Sequence, residues 1–108
     1  MEFQHKELAS GRWVQFTLAE QLGNIGSEIN RAINAKGNKN RFDGAILRAF
    51  ELFDLTIQDP RWKSRLKELT RARDVLRDAL LGGHEYGSTL EDLNKYFYYF
   101  ALSARLSK

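Results

Sequence analysis

Apolar residues recur every three or four positions in four separate windows of this chain, and no window shows the alternation typical of a strand. That spacing places the apolar side chains on one face of a helix, so the sequence predicts four helices. With 108 residues, the chain has room for one ordinary domain. We therefore predict an all-α fold, a single antiparallel four-helix bundle, with helices over about 13–35, 41–58, 60–81 and 89–106.

Capping residues mark the predicted helix ends. Gly37 is well placed to end the first helix, and Asp59-Pro60 supplies an N-cap and a first helical residue for the third. Gly82-Gly83 ends that helix. Ser88, with Glu91 three residues later, predicts a capping box that opens the fourth.

Composition excludes several classes of protein. The chain contains no cysteine, which excludes disulfide frameworks and cysteine-ligated metal sites. No apolar run approaches the roughly 20 residues that a membrane span needs, and MEFQHKELASGR lacks the apolar segment of a secretion signal. We expect a cytoplasmic protein, prokaryotic on the simplest interpretation, with no membrane partner. Two distant histidines and the absence of nucleotide-binding motifs predict no metal and no cofactor.

Small residues form a second stripe on the first predicted helix, where Gly23 and Gly26 let another helix backbone approach closely. Tight packing inside one bundle explains them, and so does a close contact between two copies. Apolar residues also lie off the main stripe of the second and fourth helices, which favours self-association. We expect a homo-oligomer, with a dimer favoured, whose candidate interface residues are Gly23, Gly26, Leu52, Leu55, Tyr99, Leu102 and Leu106.

Positive charge is concentrated in the predicted third helix, which carries seven lysines and arginines against three acids. Such a run is either a solvated face with some ion pairs within the helix or a surface that contacts phosphates. Arg73 falls near the middle of the apolar stripe, so it must reach the bundle edge, pair with a carboxylate such as Glu28, or face a phosphate in a cleft. The candidate nucleic-acid or partner-binding residues are Lys63, Lys67, Arg71, Arg73 and Arg77.

The stretch RARDVLRDALLGGHEYGSTLEDLNKYF, about a quarter of the chain, resembles the last part of HEPN domains. These are small helical proteins, usually dimeric, many of which are similar to RNases. Their motif is an arginine, usually followed by a polar residue, then four to six residues and a histidine. Aligned by apolar pattern, Arg73-Asp74 takes the arginine-polar positions and the histidine position falls near Asp78, which makes the site degenerate. Alternatively, Arg77-Asp78 begins the motif and His84 follows Arg77 after six intervening residues.

Two further resemblances extend over the chain as a whole. The segments LAEQLGNIGSE and ELFDLTIQDPRW, and EYGS followed after six residues by KYF, are similar to an uncharacterised prokaryotic family of short helical proteins. In outline the chain also resembles small bacterial four-helix bundles that assemble as rings, including ribosomal-RNA intervening-sequence proteins. These resemblances imply a helical, self-associating fold.

The HEPN resemblance implies a metal-independent RNase in which His84 is the general acid or base. Arg77 or Arg73 then stabilises charge that develops on the phosphate. The incomplete motif instead favours a non-catalytic, HEPN-like interaction module. We expect such a module to act as an oligomer and to bind a partner protein or nucleic acid through its basic third helix. The alternatives are a HEPN-type endoribonuclease and a purely structural oligomeric bundle.

Overall fold

The computed structural model describes residues 11–35 and 37–106, with side chains through Leu102. Four α-helices follow in order: α1 (Leu18–Asn34), α2 (Lys39–Gln58), α3 (Leu66–Leu80) and α4 (Leu90–Leu106). Two short 3-10 segments, Arg12–Gln15 and Pro60–Arg65, precede α1 and α3, and the described part of the chain contains no strand. The prediction of an all-α, antiparallel four-helix bundle is confirmed.

The first helix begins later than predicted, at Leu18 rather than near Trp13. A capping box stops it there, because the Thr17 hydroxyl accepts the Glu20 N–H at 3.1 Å and the Glu20 carboxylate accepts the Thr17 N–H at 2.9 Å. Phe16 is extended, with φ −83° and ψ 148°, so the helix cannot continue upstream through it. Trp13 lies instead in the preceding 3-10 turn with its side chain buried.

The third predicted helix is divided into a 3-10 segment and α3. Asp59 caps this segment as predicted, since its carboxylate accepts the Arg61 N–H at 3.1 Å and Pro60 follows at the first position. Trp62, however, has non-helical angles, φ −104° and ψ 21°, and α3 starts only at Leu66. A tertiary contact holds this kink: the Trp62 indole N–H donates to the Gln21 side-chain oxygen at 2.9 Å.

Two further helix starts differ from the prediction by one or two residues. The second helix begins at Lys39 because the Asn38 side chain accepts the Arg41 N–H at 3.1 Å and acts as the N-cap. The fourth helix is capped by Thr89 rather than Ser88. The Thr89 hydroxyl accepts the Asp92 N–H at 3.1 Å, and the Asp92 carboxylate accepts the Thr89 N–H at 3.0 Å. The capping-box prediction was therefore correct in kind and wrong in its residues.

Helix α1 lies at the centre of the bundle and packs against both α2 and α4. A Cβ at Gly26 would lie 2.5 Å from the Phe97 Cβ of α4, and a Cβ at Gly23 would lie 3.0 Å from the Ala101 Cα. The two glycines thus allow the backbones of α1 and α4 to approach closely within one chain. Leu52 is also in this core, only 3% exposed. The apolar core consists of Trp13, Leu22, Ile25, Ile29, Ala49, Leu52, Phe53, Leu69, Leu76, Leu93 and Phe97.

Candidate nucleic-acid interface

Most arginines of the basic segment are paired with carboxylates. The Arg61 guanidinium contacts the fully buried Asp59 carboxylate at 2.7 Å. The same guanidinium also donates a hydrogen bond to the Phe16 carbonyl. Arg65 pairs with Glu68 at 3.0 Å, and Arg77 pairs with Asp74 at 3.2 Å, both within one helical turn. These ion pairs neutralise much of the charge that the sequence places on this segment.

Arg73 reaches the edge of the bundle and pairs with a carboxylate, as two of the expected alternatives had it, but that carboxylate is Asp54 and not Glu28. Its Nη1 donates to Asp54 of α2 at 2.9 Å, and its side chain is 27% exposed. Glu28 is instead held by Arg31 and Arg48, each at 2.6 Å. The Arg73 Nε is buried without a hydrogen-bond partner. Arg73 therefore has a local partner and does not present a free guanidinium to a ligand.

Three cations remain, Lys63, Lys67 and Arg71, and we call them the basic surface. All three are exposed, and none has a carboxylate partner among residues 11–35 and 37–106. Lys67 and Arg71 are four positions apart, so they lie on the same face of α3. The Arg71 guanidinium lies 5.9 Å from the centre of the Tyr86 ring, which is 42% exposed. The basic surface thus has an accessible aromatic ring beside it.

A shallow groove of about 280 Å³ runs between α3 and α4 next to Arg71. Ala72, Val75 and Leu93 supply its apolar lining, and Tyr96 lies along one side. Burial, together with the negative charge of Glu68, raises the pKa of the Tyr96 phenol, so the ring remains neutral at physiological pH. The groove therefore combines apolar side chains and a neutral phenol with the guanidinium of Arg71 and the carboxylates of Glu68 and Asp92.

Acids at the edge of the groove are committed to local contacts. Hydrogen bonds from Arg65 lower the pKa of Glu68, and the Thr89 backbone N–H lowers the pKa of Asp92. Each carboxylate is thus ionised and engaged at neutral pH, one in an ion pair and the other in a helix cap.

His84 and Arg77 form no hydrogen bond with each other in the described part of the chain. His84 is exposed in the turn after α3, and its side chain forms no hydrogen bond or ion pair within the described part of the chain. The Arg77 guanidinium pairs with Asp74 and lies 5.9 Å from the Phe50 ring. The carboxylate of Asp78 shapes the turn by accepting the backbone N–H groups of residues 85 and 86, at 3.1 and 2.9 Å. Among residues 11–35 and 37–106, no hydrogen bond orients the imidazole for proton transfer.

The predicted oligomer residues fall into two groups. Gly23, Gly26 and Leu52 are buried inside one chain, and the two glycines provide the tight packing within one bundle that the sequence offered as an alternative to a contact between copies. Leu55 and Leu102 are half-buried, whereas Tyr99 is 69% exposed. The side chain of Leu106 lies outside the described residues. Of the surfaces predicted to contact a second copy, the outward face of α4 is therefore the one that is still exposed.

Sequence reasoning missed two groups of residues that the fold assembles. One is a buried polar network in which the Gln21 amide N–H group donates to the Trp13 carbonyl at 2.9 Å and to Asp59 at 3.1 Å. The other is a set of arginines between α1 and α2, with Arg31 and Arg48 held by Glu28. The spacing of three between Glu28 and Arg31 was the available signal for the second group.

Among the described residues, no group of three histidines or acids is arranged to hold a metal ion. Within the same residues, every helix is too short or too polar to cross a bilayer. No protein-family model, curated protein or solved structure matches this chain.

Proposed function

We propose that this chain is a non-catalytic helical module that binds nucleic acid through the basic surface. The observation that carries this proposal is the presence of three exposed cations, Lys63, Lys67 and Arg71, that have no carboxylate partner in the described part of the chain. A cation that is already paired must lose its partner before it can contact a phosphate, whereas contact with these three only displaces counterions from the nucleic acid. Contacts at these three positions therefore contribute most of the free energy with which the segment binds a polyanion.

The aromatic surroundings of Arg71 favour single-stranded nucleic acid over a purely electrostatic contact. Tyr86 lies beside the guanidinium, and Tyr96, also 42% exposed, borders the adjacent groove. Exposed aromatic rings next to cations bind unpaired bases by stacking, with about 1–3 kcal/mol per base. A surface that only served solubility has no need of this combination.

We include self-association through α4 in the proposal. Tyr98 and Tyr99 are exposed, and their rings contact each other edge to face with centroids 6.1 Å apart. Tyrosine is enriched in protein interfaces because one end of its side chain is apolar and the other forms hydrogen bonds. A dimer formed through this face would carry two copies of the basic surface.

In this proposal, the chain resembles HEPN domains in fold but carries a degenerate form of their site. His84 lacks an orienting partner among the described residues, and Arg77 is engaged by Asp74. A general acid or base needs a group within hydrogen-bond reach that fixes its tautomer and direction. This arrangement supports binding rather than cleavage.

The test is fluorescence anisotropy with a labelled single-stranded RNA at low ionic strength. We expect binding that weakens with salt, and Lys67→Ala with Arg71→Ala should lower the magnitude of the slope of log K against log salt by about 1.4. The matched control is Arg65→Ala with Arg77→Ala, which removes the same charge from paired positions. Equal losses in both double variants would show that binding depends only on net charge.

The same RNA, recovered after incubation, distinguishes binding from catalysis. We expect it to be intact after prolonged incubation with the wild-type chain. Cleavage that disappears in both His84→Ala and Arg77→Ala would replace the proposal with the endoribonuclease alternative. Failure to bind RNA at low salt would remove the nucleic-acid proposal and favour a protein partner.

A further inference from the structure

A second positively charged site lies in a groove of about 580 Å³ between α1 and α2. Arg31 and Asn34 line it from α1, and Asn40, Arg41 and Arg48 line it from α2. The lining described by the structure includes three guanidinium groups and no carboxylate. We call these residues the arginine groove.

One buried acid holds two of these arginines in place. Glu28 has a side chain only 5% exposed; its Oε1 accepts from Arg31 Nη1 and its Oε2 from Arg48 Nε, each at 2.6 Å. A buried carboxylate needs positive partners to offset its desolvation, but a single arginine supplies the compensating charge. Arg41 adds a third guanidinium to the groove, and Glu28 does not hold it.

Arg41 carries the least committed charge of the groove. It is exposed, and among the described residues its guanidinium forms no ion pair. Its backbone N–H is bonded to the Asn38 cap, which fixes its place at the start of α2 independently of its side chain. Its guanidinium is therefore available to an anion.

Gly44 leaves room between the two arginines of α2. Positions 40, 44 and 48 lie on one face of this helix, four residues apart. A Cβ at Gly44 would lie 3.3 Å from Arg48 Nη1, so the guanidinium passes over bare backbone. The absence of a side chain here thus accommodates the Arg48 guanidinium in the groove.

We infer that the arginine groove binds a small ligand through a phosphate group. Guanidinium groups present planar, forked N–H donors that match phosphate oxygens, and a set of three favours an ion with more than one negative charge. The Asn34 and Asn40 amides add neutral donors and acceptors for an attached organic part. The volume falls in the range of about 300–1,000 Å³ that is usual for small-molecule sites.

Calorimetric titration with inorganic phosphate and with a ribonucleoside 5′-monophosphate tests this inference. We expect both to bind the wild-type chain at low ionic strength, and the unphosphorylated ribonucleoside not to bind. Arg41→Gln should weaken binding of both anions about tenfold, the loss of one charge-assisted contact. The matched control is Lys39→Gln, which removes the same charge two residues away, outside the groove, and should change the affinity less than about twofold.

Two comparisons identify the ligand class and separate this site from the basic surface. Tighter binding of the nucleotide than of inorganic phosphate supports recognition of the organic part, and equal binding supports recognition of phosphate alone. Arg41→Gln should leave the RNA affinity nearly unchanged, whereas the Lys67 and Arg71 double variant should retain phosphate binding. Absence of binding by either anion, or equal weakening by Lys39→Gln, would overturn the inference.

Discussion

Helices α1 and α3 carry apolar residues at the same spacing but bury very different parts of their surfaces. In α1, eight of 17 residues are buried, and they include Gln21 and Glu28 as well as two glycines. In α3 only two of 15 are buried, Leu69 and Leu76. The difference follows from neighbours, because α1 packs closely against two helices, whereas α3 packs mainly on α2 and leaves a groove towards α4.

The comparison shows how position in the bundle decides what a polar residue does. On α1, the polar groups of Gln21 and Glu28 are buried and bonded to other elements, where losing a partner is costly. On α3, Lys67 and Arg71 remain in solvent, where they contribute little to stability and are accessible to ligands. The central helix thus holds the fold, and the peripheral one is available for binding.

The largest expected effect is at Gln21, whose amide links α1 to the 3-10 turn, to Asp59 and to Trp62. Gln21→Leu keeps the volume but removes three hydrogen bonds, and we expect a loss of about 3 kcal/mol in the free energy of unfolding. Urea denaturation followed by circular dichroism measures it. Gln58→Leu, at the exposed end of α2, is the control and should change stability by less than about 0.5 kcal/mol. Equal effects would contradict the role of the network.

The next effect tests the close contact between α1 and α4. Gly26→Ala places a methyl 2.5 Å from the Phe97 Cβ, so the helices must separate, at a cost of about 2 kcal/mol. Gly44→Ala is the matched change on α2, where only the flexible end of Arg48 lies at 3.3 Å. There we expect stability to rise by about 0.5 kcal/mol because alanine favours helix more than glycine. Thermal unfolding of both variants measures these changes in stability. A Gly26→Ala protein as stable as wild type would contradict a close contact between α1 and α4.

A smaller, pH-dependent effect comes from Asp59. Hydrogen bonds from Arg61 hold the pKa of its carboxyl below the ordinary value despite its burial. Because the folded pKa lies below the unfolded one, this stabilisation is present above about pH 4 and is lost as pH falls through the folded pKa. Asp59→Asn should cost about 1 kcal/mol at pH 7 and progressively less in acid. Unfolding measured from pH 7 to pH 2 tests this, and a difference that is independent of pH would contradict it.

The smallest effect is expected at Arg73 on α3. Arg73→Met keeps the packed stem and leaves Asp54 hydrated, so stability should change by less than about 1 kcal/mol. The same substitution at Arg48 removes one partner of the buried Glu28 and should cost about 2 kcal/mol. Chemical denaturation of the pair measures the contrast. A larger loss at Arg73 would show that α3 contributes more to the core than its burial indicates.

The four helices were predictable because their apolar periodicity is a local property of the sequence. The Asp59-Pro60 start was predictable for the same reason, whereas the kink at Trp62 depends on Gln21, 41 residues away. The ion-pair partners of the charged side chains could not be predicted from local sequence either. The partner of Arg73 comes from α2, so its exposure and charge depend on how two helices cross.

The candidate site was predictable in its location but not in its composition. The charge run identified the segment, but only the fold shows which of its cations are paired and which are free. Tyr86 approaches Arg71 because the turn after α3 folds back, with Asp78 accepting two backbone N–H groups. The arginine groove had no equivalent run, because its residues come from two helices.

The most direct test of nucleic-acid binding by α3 is an NMR titration of the isotope-labelled chain with a short single-stranded RNA at low salt. We predict that backbone amide shifts concentrate at Lys63, Lys67, Arg71 and Tyr86, and that added salt reverses them. The buried residues of α1 should be unaffected. Shifts that are absent at low salt, or that cluster in the arginine groove instead, would contradict the central claim.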